Sequence, residues 1–242
     1  MENIALPLLA AFGKSLLFVL AGILPIINPL ASAPIFVDMT RGLSDESRAH
    51  LSMNIGKHVF VLIVAAMLLG SHVLHFFGVS LPVVRVAGGL IVASIAWRML
   101  NAQQTVSDDA TQMAQSLTEE KARIKAFYPL TFPLTCGPGT IAVAIALGAS
   151  LRTRSSWTLS MANVAGGLVA ALLLGLLIAV TFRYANQLLH RLGDVGQIVF
   201  LRLMAFILLA VGVEIVWDGV QALLLSVQNA GAGAIDLPPA ID

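Results

Sequence analysis

The chain has 242 residues, of which 58% are hydrophobic and 11% charged, with a formal net charge of +1. A soluble domain carries about 25% charged residues. With a mean hydropathy of +0.89, that shortfall excludes an ordinary soluble protein. No basic cluster suggests nucleic acid as a partner. The length suits about six membrane spans of roughly 20 residues with short loops. The single cysteine, Cys136, allows no intrachain disulfide.

In chain order, the apolar runs predict spans over residues 15–37, 55–77, 81–100, 127–149, 159–182 and 197–224. The first run resembles a signal peptide, with Ala31-Ser32-Ala33 as a cleavage site. Pro34 follows that site and disfavours a cut, so the run is kept as a span. Asp38 and Arg41 close it, and Ser44, before Asp45 and Glu46, reads as the N-cap of the next helix. Gly78 and Pro82 mark a short turn. Residues 101–126 are polar and read as a cytoplasmic linker. Ala162, Gly166 and Ala170 lie at four-residue spacing, a surface on which helix backbones approach closely. Arg183, His190, Arg191 and Asp194 read as a loop. Residues 226–242, rich in Gly, Ala and Pro, read as a flexible tail.

Two spans are interrupted. Asn28-Pro29 lies within the first, and Thr135-Cys136-Gly137-Pro138-Gly139-Thr140 within the fourth. Proline removes a backbone donor and glycine adds freedom, so both helices are expected to open near the midplane. Opened backbone inside a membrane needs protein, water or a solute to satisfy it. A matched pair of interrupted spans points to a transporter's central site. Asn28-Pro29 aligns with Gly137-Pro138, and Arg85 with Arg202, which divides the chain into repeats over residues 13–100 and 127–225. Three spans per repeat is odd, so the second repeat is inverted. The predicted fold is an all-α integral membrane protein with a 3+3 inverted-topology repeat. Nine Lys and Arg residues fall in one set of loops and three in the other. That bias puts both termini outside the cytoplasm, in the periplasm of a bacterial cell.

Half-helices that start after Pro29 and Pro138 offer amides to a carboxylate, and those that end there offer carbonyls to an ammonium group or Na+. Asn28, Ser32, Thr135 and Thr140 add hydrogen-bonding side chains, and Cys136 with Gly137 and Gly139 completes the candidate site. Cys136 as a nucleophile lacks a base within any span core, and His72 with His75 lacks a third metal ligand. The charges singled out as a gate or as ion pairs are Asp38, Arg85, Arg202 and Glu214. Arg85 lies roughly 6 Å below one surface and Glu214 at a similar depth, taking about 1.5 Å per residue. The expected pairs are Arg85 with Glu214 and Arg202 with Asp38. The two arginines read equally as gates or carboxylate contacts and as snorkelling or ion-paired helix ends.

At these residues the chain resembles the MarC family of bacterial inner-membrane proteins, also called the neutral amino acid transporter family. The likeness rests on Asn28-Pro29 with Pro34 and Phe36, Leu43-Ser44-Asp45-Glu46, Arg85 with Gly88-Gly89, the run from Pro133 to Thr140, and Arg202. It covers nearly the whole chain. It implies kinship with LysE-type exporters, six spans in the cytoplasmic membrane and transport of small solutes, with some members resembling glycine and alanine uptake systems. The chain departs from the pattern at Ala31, near which a glycine is expected, and at Glu214, where an amide is expected. The leading expectation is a secondary transporter of small neutral solutes, amino acids first, by alternating access. The alternatives are a membrane scaffold and a membrane-embedded enzyme. A scaffold needs no centred helix breaks, and an enzyme needs a cluster of reactive side chains at one depth, which the sequence lacks. No GxxxxGK[ST] motif is present, so the chain alone is not an ATP-driven pump. No cofactor is expected. The expected partners are a small neutral solute, Na+ or H+ for coupling, and membrane lipid, with self-association left open.

Overall fold

The computed structural model describes residues 5–101, 126–151 and 156–232, and every regular element among them is helical. The expected linker falls almost wholly outside the described residues, as do Arg152, Arg154 and residues 233–242. The elements are α1 (Ala5–Ile27), α2 (Pro29–Met39), α3 (Asp45–Phe76) and α4 (Leu81–Asn101). An irregular segment, Ala126–Thr135, follows, then α5 (Pro138–Ser150), α6 (Trp157–Arg183) and α7 (Ala185–Ala232). Five helical stretches are long and apolar enough to cross a membrane: α1, α3, α4, α6 and the Ile198–Gln228 part of α7. The Ala126–Thr135 segment and α5, bent by 72°, make a sixth if they count as one span.

The first helix begins at Ala5, well before the expected start at residue 15. Lys14 had marked that boundary, but it is exposed, and a lysine can carry its charge to the interface while its stem stays apolar. The 23 residues of α1 span about 34 Å, against a hydrocarbon core of about 30 Å. Asn28-Pro29 therefore follows a helix of full spanning length instead of dividing one at its centre. Ser44 caps α3 as expected, accepting from the Ser47 amide, with Asp45 and Glu46 in the first turn. The expected loop around residues 183–194 is helical apart from a turn at Tyr184 and a kink at Gly193, whose φ of 63° suits glycine. Leu188, Leu189 and Leu192 have helical spacing there, and the charges between them mark an exposed helix face. α7 also runs past Ser226 to Ala232, into the expected tail.

Small residues set the packing. Gly56 of α3 and Gly175 of α6 each lie against the other's carbonyl. Gly166 lies against the α1 backbone at Phe12 and Leu16, which realises the close approach expected of the small-residue surface. α4 and α7 run antiparallel, with Gly89 on the Gly212 carbonyl and Gly219 on the Pro82 carbonyl. α5 packs against both α3 and α4. Gly148 meets Met67 and Ile145 meets Gly70 on α3; Ala142 meets Gly88 and Gly139 meets Val92 on α4. Ser15 of α1 donates to Asn163 of α6 at 2.9 Å, and Asn163 donates to the Leu151 carbonyl at 3.2 Å, which ties three elements together. At the other end of the bundle, Phe36 of α2 stacks on Phe182 of α6 with ring centroids 4.5 Å apart.

Candidate functional site

The first junction is built by Asn28. Its backbone is left-handed, with φ 41° and ψ 71°. Asparagine is among the few residues that take this conformation readily, because its short side chain bonds locally. Here Oδ1 accepts from the Ala31 amide at 3.3 Å and caps α2, which opens on Pro29. The Asn28 carbonyl accepts from the Ala31 and Ser32 amides and from Ser32 Oγ at 3.4 Å. The cap fixes the orientation of the side-chain amide, and it leaves Nδ2 buried with no hydrogen-bond partner. The residue is only 6% exposed. A buried donor left unpaired costs about 1–3 kcal/mol. It suits a carboxylate or carbonyl oxygen.

The second junction is built differently. Ala126–Thr135 carries a tandem repeat, Tyr128-Pro129-Leu130-Thr131 and Phe132-Pro133-Leu134-Thr135. The aromatic residue of each repeat is extended, and its peptide bond to proline is cis. Thr131 Oγ1 donates to the Ala126 carbonyl and Thr135 Oγ1 to the Leu130 carbonyl, each at 2.7 Å. Each hydroxyl bonds a carbonyl five residues back, in a segment where Pro129 and Pro133 have no N–H to donate. Gly137 then caps α5 in an extended conformation with no side-chain capping bond, and Pro138 opens the helix. The first-turn amides of α5 thus lack the side-chain acceptor that most helices supply. Cys136, Gly139 and Thr140 are buried there. Gly139 packs on Val92, close to the middle of α4.

The two junctions belong to elements in contact: α1 packs on α5, and α2 on the Ala126–Thr135 segment. Asn28 and Ser32 are brought together directly. The donor hydrogens of Ser32 and Thr135 are engaged by backbone carbonyls, so these hydroxyls have only acceptor capacity left.

The charged residues are distributed otherwise than expected. Asp38 pairs with Arg41 at 3.0 Å, and Arg202 is exposed on α7, so the Arg202–Asp38 pair does not form. A partner three residues away on the same turn outcompetes one on another helix. Arg85 Nη2 donates to Ser150 Oγ at 2.9 Å, and Ser150 Oγ donates to the Ala146 carbonyl at 3.0 Å. Among the described residues the ion pairs are Asp38–Arg41 and Asp45–Arg48, so Arg85 and Glu214 are not bonded to each other. They do line one cavity of about 230 Å³, together with Ser150, Asp218 and apolar side chains of α1, α5 and α7. Asp218 and Ser150 were missed in the sequence. Asp218 follows Glu214 by four residues on a helix, a spacing that puts the two carboxylates on one face.

The sequence profile of MarC family integral membrane proteins matches residues 13–224. The chain is 34% identical over 208 residues to the inner membrane protein MarC of Escherichia coli O1:K1, covering 84% of this chain and 92% of the relative. The MarC proteins of Escherichia coli K12 and Shigella flexneri are 33% identical over the same lengths. No solved structure matches the chain. The extent of these matches shows that the chain belongs to the MarC family of integral membrane proteins.

Proposed function

We propose that the protein is a secondary transporter of small neutral solutes, with amino acids as the substrate class. It works by alternating access around the junctions at Asn28-Pro29 and Gly137-Pro138. The observation that carries this reading is the buried, unpartnered Asn28 Nδ2 at the start of a proline-led helix. A solute carboxylate satisfies that donor, and the uncapped amides that open α5 serve the same charge. The carbonyls that end α1 and the Ala126–Thr135 segment suit the ammonium group.

The fold reading that goes with it is a 3+3 inverted repeat: α1 to α4, then the Ala126–Thr135 segment to α7. Support comes from the short helix each half contains, α2 and α5, each opening on proline after a break. The protein sits in the bacterial inner membrane as a multi-pass protein with both termini in the periplasm. It performs no chemical step and holds no cofactor. Na+ or H+ is the coupling ion, and lipid surrounds the bundle.

The test is counterflow in proteoliposomes. Liposomes preloaded with each unlabelled neutral amino acid should accumulate the labelled form transiently, above protein-free controls. Folded protein that gives no counterflow with any amino acid overturns the reading.

A further inference from the structure

The charged cavity is separate from both junctions. It lies where Arg85, one turn into α4, meets Ser150, the last residue of α5. Its lining holds one cation, Arg85, and two carboxylates, Glu214 and Asp218, and opposite charges do not close on each other across it. A guanidinium has five N–H donors in a fixed fork that fits a carboxylate with two parallel bonds. The Arg85 contact to a side chain is Nη2 to Ser150 Oγ. Opposite it, two carboxylates one helical turn apart on α7 offer acceptors to the three donors of an ammonium group. The rest of the lining is apolar. At about 230 Å³ the cavity is smaller than the roughly 300–1,000 Å³ of drug-sized pockets. It suits a single small metabolite and not a peptide.

We infer that this cavity is a recognition site for the zwitterion of a neutral α-amino acid. Arg85 takes the carboxylate, Glu214 and Asp218 take the ammonium group, and the apolar wall takes the side chain. The inference rests on the transporter reading and adds a second, outer station to it. A carboxylate that captures Arg85 competes with Ser150 Oγ. Occupation of the cavity therefore acts on one end of α5, whose other end is the Gly137-Pro138 junction.

The experiment is initial-rate uptake of radiolabelled L-alanine and L-leucine into proteoliposomes, with L-alaninamide and N-acetyl-L-alanine as competitors. Against the wild-type protein both competitors should be at least about tenfold weaker than L-alanine, the loss of one charge-assisted contact. Arg85→Gln should raise KM about tenfold or more with Vmax within about twofold, and Arg85→Lys should recover part of the loss. The discrimination should then collapse in a crossed pattern. Arg85→Gln loses the preference over the amide, and Glu214→Gln with Asp218→Asn loses the preference over the N-acetyl form. A merely structural role of these residues gives no crossed pattern. Wild-type uptake with unchanged KM in Arg85→Lys, Arg85→Gln and the carboxylate variants overturns the site and leaves the transporter reading standing. Equal competition by L-alaninamide and L-alanine against the wild type, which needs no variant to fold, overturns the site together with the carboxylate contact assigned to Asn28 Nδ2, while uptake itself still stands. Wild-type protein that takes up neither amino acid overturns both.

Discussion

Asn28 does two jobs that can be separated by substitution. Its backbone needs a left-handed conformation, and its side chain supplies both a cap and a free donor. Glycine meets the first need at no steric cost and is only a few tenths of a kcal/mol worse as a cap. Alanine meets neither, losing about 1 kcal/mol of cap and a further 1–2 kcal/mol to left-handed strain. Both changes also remove the unpaired buried donor, so thermal unfolding in detergent should rank Asn28→Gly at or above wild type and Asn28→Ala clearly below Asn28→Gly. Transport should be lost in both, because both lack Nδ2. Full transport by Asn28→Gly would remove Asn28 from the solute site. At this scale the sequence was legible where chemistry is local. Asn-Pro and Gly-Pro pairs announce a helix opening, and Ser44 before two acids announces a cap. Contacts between distant residues were not legible. Ser150 is a small polar residue of no special pattern, and it is bound by an arginine 65 positions away. The expected Arg202–Asp38 pair failed for the opposite reason, because Arg41 was already in reach of Asp38.

Among the elements, the Ala126–Thr135 segment departs furthest from regular structure, and its cause lay in plain view as two copies of aromatic-Pro-Leu-Thr. Single prolines read as kinks. The repeat reads as a wide-turned segment only once each threonine hydroxyl is seen to bond a carbonyl five residues back. Replacing Thr131 or Thr135 by valine keeps the shape and removes one hydrogen bond to a buried carbonyl. Each change should cost about 0.5–1.5 kcal/mol, read as a lower melting temperature, whereas serine at either place should restore most of the loss. Equal melting temperatures for the valine and serine variants would show that the hydroxyls do not hold the segment. Helix boundaries were the least legible feature of the elements. A lone exposed lysine hid the first turns of α1, and a charged helix face at the start of α7 looked like a loop.

At the scale of the whole molecule, the helical class followed from composition and apolar run lengths alone, and the expected six spans stand as five, or six if the bent pair counts as one. The packing of α5 against both α3 and α4 did not follow, because it depends on which glycines admit which neighbours. Orientation rests on the charge bias. Asp38, Arg41, Asp45, Arg48 and Arg183 gather where α2 ends, α3 begins and α6 ends. That end should face the cytoplasm. A periplasm-dependent reporter fused after Ala232 should be active; a silent one, with an active cytoplasmic reporter at the same place, would reverse the topology. The central claim is that a solute occupies the junctions, and Cys136 can report on it directly. It is the chain's single cysteine, buried between the Ala126–Thr135 segment and α5. The measurement is the rate at which N-ethylmaleimide alkylates the reconstituted protein, with and without saturating transported amino acid. Alternating access predicts slow labelling of the free protein and markedly slower labelling when solute is bound. The same rate in both conditions, or no labelling from either side of the membrane, would contradict a solute site at the broken helices.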